Sequence, residues 1–244
     1  MMDKKLQIAL IGYGKMGKAI EKLALARNHM VSVIIDNEMQ WETEGDRLAD
    51  CDVAIEFSTP SAAPENIRKC FGYHVPVITG TTGWLNELPA LESLCQKEKQ
   101  TLFHASNFSI GVNFFFELNR CLAGMLSEMD GYRPRITETH HTQKLDAPSG
   151  TAITLAGDII RARKGLVKWG NADDHLPDNV LPVKAYRIES ITGTHIVSYE
   201  SVIDSIEIKH TAHDRSGFAE GALLAAQWVQ GKQGVFTMKD LLKI

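Results

Sequence analysis

The chain has 244 residues, 44% hydrophobic and 23% charged, enough apolar material for one large core or two modest ones. Lys plus Arg is 26 against 30 Asp plus Glu, a net charge of −4 with no basic stripe or arm, so no nucleic-acid partner is expected. No apolar run approaches the roughly 20 residues that span a bilayer. Met1–Lys5 leads into a strand-length run and not a signal-peptide core, so the expectation is a cytoplasmic protein without a membrane partner.

In chain order, Leu6–Ile11 is a short continuous apolar run ending at glycine, which suits a buried parallel strand. Gly12-Tyr13-Gly14-Lys15-Met16-Gly17 follows and opens a helix to about Asn28. Met30–Ile35 is a second strand ending at Asp36, and Asp52–Phe57 a third, followed by a helix around 61–71. Val75–Thr79 runs into Gly80-Thr81-Thr82-Gly83, a helix covers about 87–99, and Thr101–Ala105 runs into Ser106-Asn107-Phe108. This alternation predicts an open parallel sheet wound by right-handed crossovers.

The rhythm then changes. Residues 111–129 read as one long helix, and Ser149 as the N-cap of another carrying Ile153, Leu155, Ala156, Ile159 and Ile160. Residues 163–182 are polar and turn-rich. Lys184–Thr192, His195–Ser201 and Ser205–Ala212 read as consecutive strands, with Gly193 marking a tight hairpin between the first two. Such strands imply a mixed or antiparallel sheet, hence a second domain. A helix over 217–230 and a short segment at 238–242 close the chain. Cys51, Cys70, Cys95 and Cys121 are far apart with no Cys-x-x-Cys pair, so neither a disulfide framework nor a structural zinc is expected.

Two segments carry chemistry. Gly12, Gly14 and Gly17 form a G-x-G-x-x-G after a strand and before a helix, with acidic Asp36 ending the next strand. The first glycine permits the tight turn, the second admits a pyrophosphate to the backbone, and the third allows close helix–strand packing. Asp36 is placed to bind ribose hydroxyls and to repel a 2′-phosphate, so NADH is favoured over NADPH. Lys15 and Lys18 are the side chains able to reach a phosphate. Gly80-Thr81-Thr82 and Ala105-Ser106-Asn107-Phe108 end parallel strands, on the edge where open α/β sheets bind ligands. On position alone they are equally well ordinary loops.

The second segment runs from His140 to Ala152. Adjacent His140 and His141 point opposite ways in extended backbone, so the pair alone does not chelate a metal. No metal site is expected. Histidine exchanges a proton near neutrality, and Lys144 arrives protonated, able to pair with a carboxylate or donate a proton. The amide groups at the Ser149 helix start form an anion site. Internally satisfied histidines and a solvated lysine are the competing reading.

Glu138-Thr139-His140-His141 through Ala152 resembles the signature segment of the 4-hydroxy-tetrahydrodipicolinate reductase family, formerly dihydrodipicolinate reductases, of lysine and diaminopimelate synthesis. The resemblance extends from the glycine loop to the 218–222 helix. It implies reduction of 4-hydroxy-tetrahydrodipicolinate, a dicarboxylate imino acid, by NADH or NADPH. His140 and Lys144 would be the acid/base groups, and His141, Gly150 and Thr151 would contact substrate. The Gly80–Gly83 turn and the Asn107-Phe108 segment would line the cofactor. Asn37 departs from relatives that accept NADPH well, which often carry arginine there.

The expected architecture is α/β, a Rossmann-type parallel sheet with an inserted α+β substrate-binding and oligomerisation domain. Its expected bounds are 1–108 and 217–244 for the dinucleotide domain and 109–216 for the insert. The resemblance also implies a homotetramer. Arg187, His195 and the His210–Ala212 stretch resemble family positions too, but as strand-edge polar groups they are assigned to structure or an interface. Arg215 is a candidate hinge residue. Another NAD(P)-dependent dehydrogenase of an amino acid, or a non-catalytic dinucleotide sensor, are the rival readings.

Overall fold

The computed structural model describes residues 5–214 and 216–244. Arg215 lies outside the described residues. The chain divides into two compact units, Met1–Ile110 with Ser216–Ile244, and Gly111–Arg215.

The first unit is a six-stranded sheet in which every pairing is parallel. Its strands are β1 (Gln7–Ile11), β2 (Met30–Ile35), β3 (Val53–Glu56), β4 (Val77–Thr79), β5 (Thr101–His104) and β11 (Gly234–Phe236), in the order β11-β5-β4-β3-β1-β2. The chain moves outward from β1 to β2, then returns across β1 to β3. This reversal creates a crevice at the carboxyl end of β1, where such sheets take nucleotides. Helices α1 (Lys15–Ala26), α3 (Ala63–Gly72), α4 (Leu88–Lys97) and α7 (Ser216–Trp228) cover the sheet. One face buries Ile8, Leu10, Ile20 and Ala24 with Ala222, Leu223 and Ala226 of α7, which explains why the last helix returns to this unit. Asn28 and Lys99, both at positive φ, stop α1 and α4 short of their expected ends. Helix α2 (Glu38–Glu44), a seven-residue element capped by Asn37, and the three-residue β11 are additions to the expected elements. Both are too short to show a period.

The second unit has α5 (Ile110–Met125), α6 (Gly150–Ala162) and a five-stranded mixed sheet. Its strands are β6 (Arg133–His140), β7 (Lys168–Asn171), β8 (Val180–Arg187), β9 (Gly193–Glu200) and β10 (Ser205–Ala212), in the order β10-β9-β6-β8-β7. Two expectations fail here. The polar stretch 163–182 contains β7 and the start of β8, because Trp169, Val180 and Leu181 pack into the unit's interior. The Gly193 hairpin does not exist. Strand β6 lies between β8 and β9, parallel to the first and antiparallel to the second. The hairpin is β9–β10. Strand β6 escapes a reading by hydrophobic pattern because its core-facing positions include Pro134, Glu138 and His140, which do not make an apolar alternation. All four cysteines are free, three buried and Cys121 exposed. No helix among the described residues is long and apolar enough to cross a membrane.

Candidate active site

In the first unit the glycine loop is closely built. Gly12 has φ +86°, and a Cβ there would overlap the Phe57 carbonyl oxygen. A Cβ on Gly17 would overlap the carbonyl oxygen of Gly12, so both positions exclude larger residues sterically. Gly14 differs, because a methyl group added there would meet nothing within 4 Å. The space beside the first turn of α1 is open. That is where the dinucleotide fingerprint brings a pyrophosphate to the backbone.

Asp36 follows β2, and its Oδ1 accepts a 2.6 Å hydrogen bond from the Tyr13 backbone N–H. The acidic residue therefore braces the glycine loop through one of its oxygens. Asn37, the position at issue for NADPH, is committed as a helix cap, its Oδ1 accepting from Gln40 N–H. Lys18 lies over the Tyr13 ring with Nζ 5.6 Å from its centroid, while Lys15 is exposed at the start of α1.

Glu56, fully buried at the end of β3, holds the next loop. Its carboxylate accepts from Ser58 N–H at 3.0 Å, from the Thr79 hydroxyl at 2.5 Å and from the Thr81 hydroxyl at 3.0 Å. Thr82 and Ser106 are exposed at the same sheet edge, and Gly80, Thr81, Ala105 and Asn107 are half-buried there. Phe108 differs. Its ring is 1% exposed and stacks on Phe103, so its side chain belongs to the core and leaves only backbone for a ligand. Met16 likewise packs partly against the core.

In the second unit, Glu138 and His140 share one face of β6, being two residues apart in a strand. The register sets His195 of β9 opposite Glu138 and Arg187 of β8 opposite His140. The four side chains meet. The Glu138 carboxylate, 0% exposed, accepts from Ser149 N–H at 3.1 Å to each oxygen and from Arg187 at 3.2 Å. His140 Nδ1 and His195 Nε2 each lie 3.5 Å from its Oε2. The two imidazoles meet edge-on at 5.0 Å. His195 Nε2 is hydrogen-bonded to Ser149 Oγ at 3.0 Å, and that hydroxyl caps α6 by accepting from Ala152 N–H. Gly193 lies beside the His140 ring. A Cβ there would approach Cδ2 and Nε2 to 3.1 Å, so the glycine gives the ring room.

Charge follows from these contacts. Burial alone would raise the Glu138 pKa. The hydrogen bonds from His195 and Ser149 and the neighbouring His140 outweigh it and hold the carboxyl at about 2. Burial pushes His140 down to about 4 against the pull of Glu138, with His195, Lys144 and Arg187 adding to the fall. At neutral pH the ring is neutral and the carboxylate ionised. Donor atoms of Glu138, His140 and His195 lie within 4.8 Å of one another, the residue types of a metal site. Both carboxylate oxygens are already taken by Arg187 and Ser149, and a cation there would face the guanidinium, so the donor set fits an ion pair better than a metal.

Beyond β6, His141 is half-buried and Lys144 Nζ pairs with both oxygens of Asp146 at 2.8 and 2.9 Å. This ion pair depresses the Asp146 carboxyl. Gly150 is exposed and Thr151 half-buried in the first turn of α6, whose N-cap is Ser149 as the sequence predicts. Glu138 thus ties His140 and the Ser149 start of α6 together, His195 joins them, and Arg187 ties the Lys144–Asp146 loop to the same carboxylate. Arg187 and His195 do not flank a hairpin, since they stand on the two neighbours of β6. The signal available in the sequence is Glu138, two residues before His140.

Two family models match the chain. One described as the N-terminus of dihydrodipicolinate reductase covers 6–108, and one described as its C-terminus covers 111–242. The chain belongs to the dihydrodipicolinate reductase family. It is 47% identical over 237 residues to the 4-hydroxy-tetrahydrodipicolinate reductase of Christiangramia forsetii, covering 97% of this chain and 98% of that one. The Neisseria gonorrhoeae reductase is 35% identical, over 80% of this chain and 74% of its own length. A dipicolinate-bound dihydrodipicolinate reductase from Paenisporosarcina sp. TG-14 shares the fold, with a TM-score of 0.71 at 22% identity and 96% and 98% coverage. The N-terminal match lies within the first unit, whereas the C-terminal match takes in the second unit together with α7 and β11 of the first.

Proposed function

We propose that the chain reduces 4-hydroxy-tetrahydrodipicolinate to tetrahydrodipicolinate with NADH or NADPH, in lysine and diaminopimelate synthesis. One observation carries this reading: His140, Lys144 and the Ser149-capped start of α6 stand on one segment tied to Glu138, on a chain 47% identical to a reductase of that name. The first unit is the dinucleotide domain. Gly12–Gly17, with Tyr13, Lys15 and Met16 along the loop, receive the pyrophosphate at the start of α1, and Asp36 Oδ2 receives the ribose. Gly80–Thr82 and Ala105–Asn107, with the Phe108 backbone, line the nicotinamide. A reduced nicotinamide held there supplies the hydride. With Asp36 acidic and Asn37 occupied as a cap, NADH is the preferred form.

The second unit handles the dicarboxylate. Loss of water from the substrate leaves a conjugated ring that takes hydride at carbon 4 and a proton at carbon 3. The amides of Gly150 and Thr151, the Thr151 hydroxyl and His141 hold the carboxylates. Lys144 exchanges its partner Asp146 for a substrate carboxylate and keeps a paired charge throughout. His140 is neutral in the free protein, and a bound dianion raises its basicity until it can carry the proton. A homotetramer in the cytoplasm is the setting that goes with this reading.

The test is oxidation of NADH and NADPH by the purified chain, with substrate generated in place by dihydrodipicolinate synthase. Turnover with both, faster with NADH, is expected. Dinucleotide binding without turnover would sink the proposal.

A further inference from the structure

Glu138 touches none of the atoms assigned above to substrate, yet it contacts the start of α6 and His140 directly and the Lys144 loop through Arg187. Its oxygens accept from Ser149 N–H, which starts α6 and its anion-binding amides. His140 Nδ1 lies 3.5 Å from Oε2, and that nitrogen is buried with no hydrogen-bond partner among the described residues. Arg187, paired with Oε1, also reaches the loop that carries Lys144. It donates there to the carbonyls of Lys144 at 3.2 Å and Asp146 at 2.5 Å, and a third donor goes to the carbonyl of its own strand neighbour Tyr186 at 2.7 Å. One buried carboxylate thus links the helix start, the histidine and the lysine loop.

A buried ion pair is a poor way to gain stability, since apolar residues of like volume often serve as well or better. What it does well is fix geometry, because each donor has one low-energy partner and misplacement strands a buried charge. Resting on the assignment of His140, Lys144 and Thr151 to the reaction, we propose that Glu138 is the positioning residue of this site. It orients His140 directly and fixes the Lys144–Asp146 loop through Arg187. This carboxylate is the charge that opposes the burial-driven fall of the His140 pKa. It is faced by His195 from β9, Arg187 from β8, Lys144 from the loop and Ser149 at the start of α6.

The experiment compares Glu138→Gln, Glu138→Asp and Arg187→Lys with His140→Gln and Lys144→Ala in the full-length enzyme. Turnover, KM for the imino acid, NADH affinity by fluorescence and the 15N-imidazole titration of His140 are measured. Glu138→Gln should lower kcat/KM at least 10-fold, leave NADH affinity within about twofold, and move the His140 titration to lower pH, with partial recovery in Glu138→Asp. A carboxylate serving only the fold would shift the His140 titration through its charge, but would not lower kcat/KM with NADH affinity kept. Should Glu138→Gln not fold, Arg187→Lys decides, because lysine keeps the charge but cannot span the carboxylate and the loop carbonyls together. It should raise KM about fivefold or more. Wild-type kcat/KM and an unmoved His140 titration in Glu138→Gln, or unchanged KM in Arg187→Lys, overturn the proposal while leaving the site assignment intact. Full activity in both His140→Gln and Lys144→Ala would instead remove the assignment on which it rests.

Discussion

Replacing Asp36 with alanine separates the brace that the structure shows from the ribose contact proposed for the same side chain. Its Oδ1 anchors the glycine loop through Tyr13 N–H, and that bond serves either dinucleotide equally. A hydrogen bond to a charged group contributes roughly 1.5–3 kcal/mol, and Asp36 is exposed, so the low end applies and both cofactors should weaken about tenfold. The second oxygen discriminates. Losing its ribose contact costs NADH a further ~1 kcal/mol. For NADPH the same change relieves repulsion. A phosphate carrying about 1.5 charges at roughly 5 Å in water is disfavoured by about 1 kcal/mol, somewhat less with salt. NADH should then weaken about 50-fold and NADPH about twofold. The ratio of the two dissociation constants, measured by fluorescence titration at fixed ionic strength, should move about 30-fold towards NADPH. Equal weakening of both would refute the reasoning, for it would mean that Asp36 only braces the loop.

Gly14→Ala should fold with a melting temperature near wild type, because nothing surrounds the added methyl, yet bind NADH at least 10-fold more weakly; retained affinity would place the pyrophosphate elsewhere. Acid should destabilise the second unit in two windows. His140, depressed from 6.5 to about 4, loses its contribution as pH falls from 6.5 towards 4, since the unfolded ring takes a proton that the folded one refuses. Glu138, depressed from 4.5 to about 2, keeps its contribution above 4.5 and loses it as pH falls towards 2. Each is of order 3 kcal/mol, so urea titrations at pH 7 and pH 4 should show wild type losing about 3 kcal/mol that His140→Gln is spared, and parallel losses would contradict it. Thr151→Val should weaken inhibition by pyridine-2,6-dicarboxylate about 10-fold, through loss of one charge-assisted hydrogen bond, and an unchanged inhibition constant would leave backbone amides alone holding the carboxylates.

Much of this protein is written locally. Strands β1, β3 and β4 of the first unit are short apolar runs closed by glycine or polar turns, legible because burial on both faces demands a continuous run, whereas the three-residue β11 is not. The glycine loop, Asp36 and the Ser149 cap are local signals as well, since close backbone approach and capping act within a few residues. Tertiary structure decided what lies beside what. Strand β6 carries a glutamate and a histidine on its core-facing side, so its sequence hides its nature, and only insertion between β8 and β9 supplies the partners that make such burial tolerable. Phe108 as core also depends on neighbours that sequence spacing does not report, Phe57 and Phe103 among them. Hydrophobic period records burial of apolar surface. A buried carboxylate answered by groups 11, 49 and 57 residues away leaves no such period, and its meaning exists only once the sheet has assembled around it.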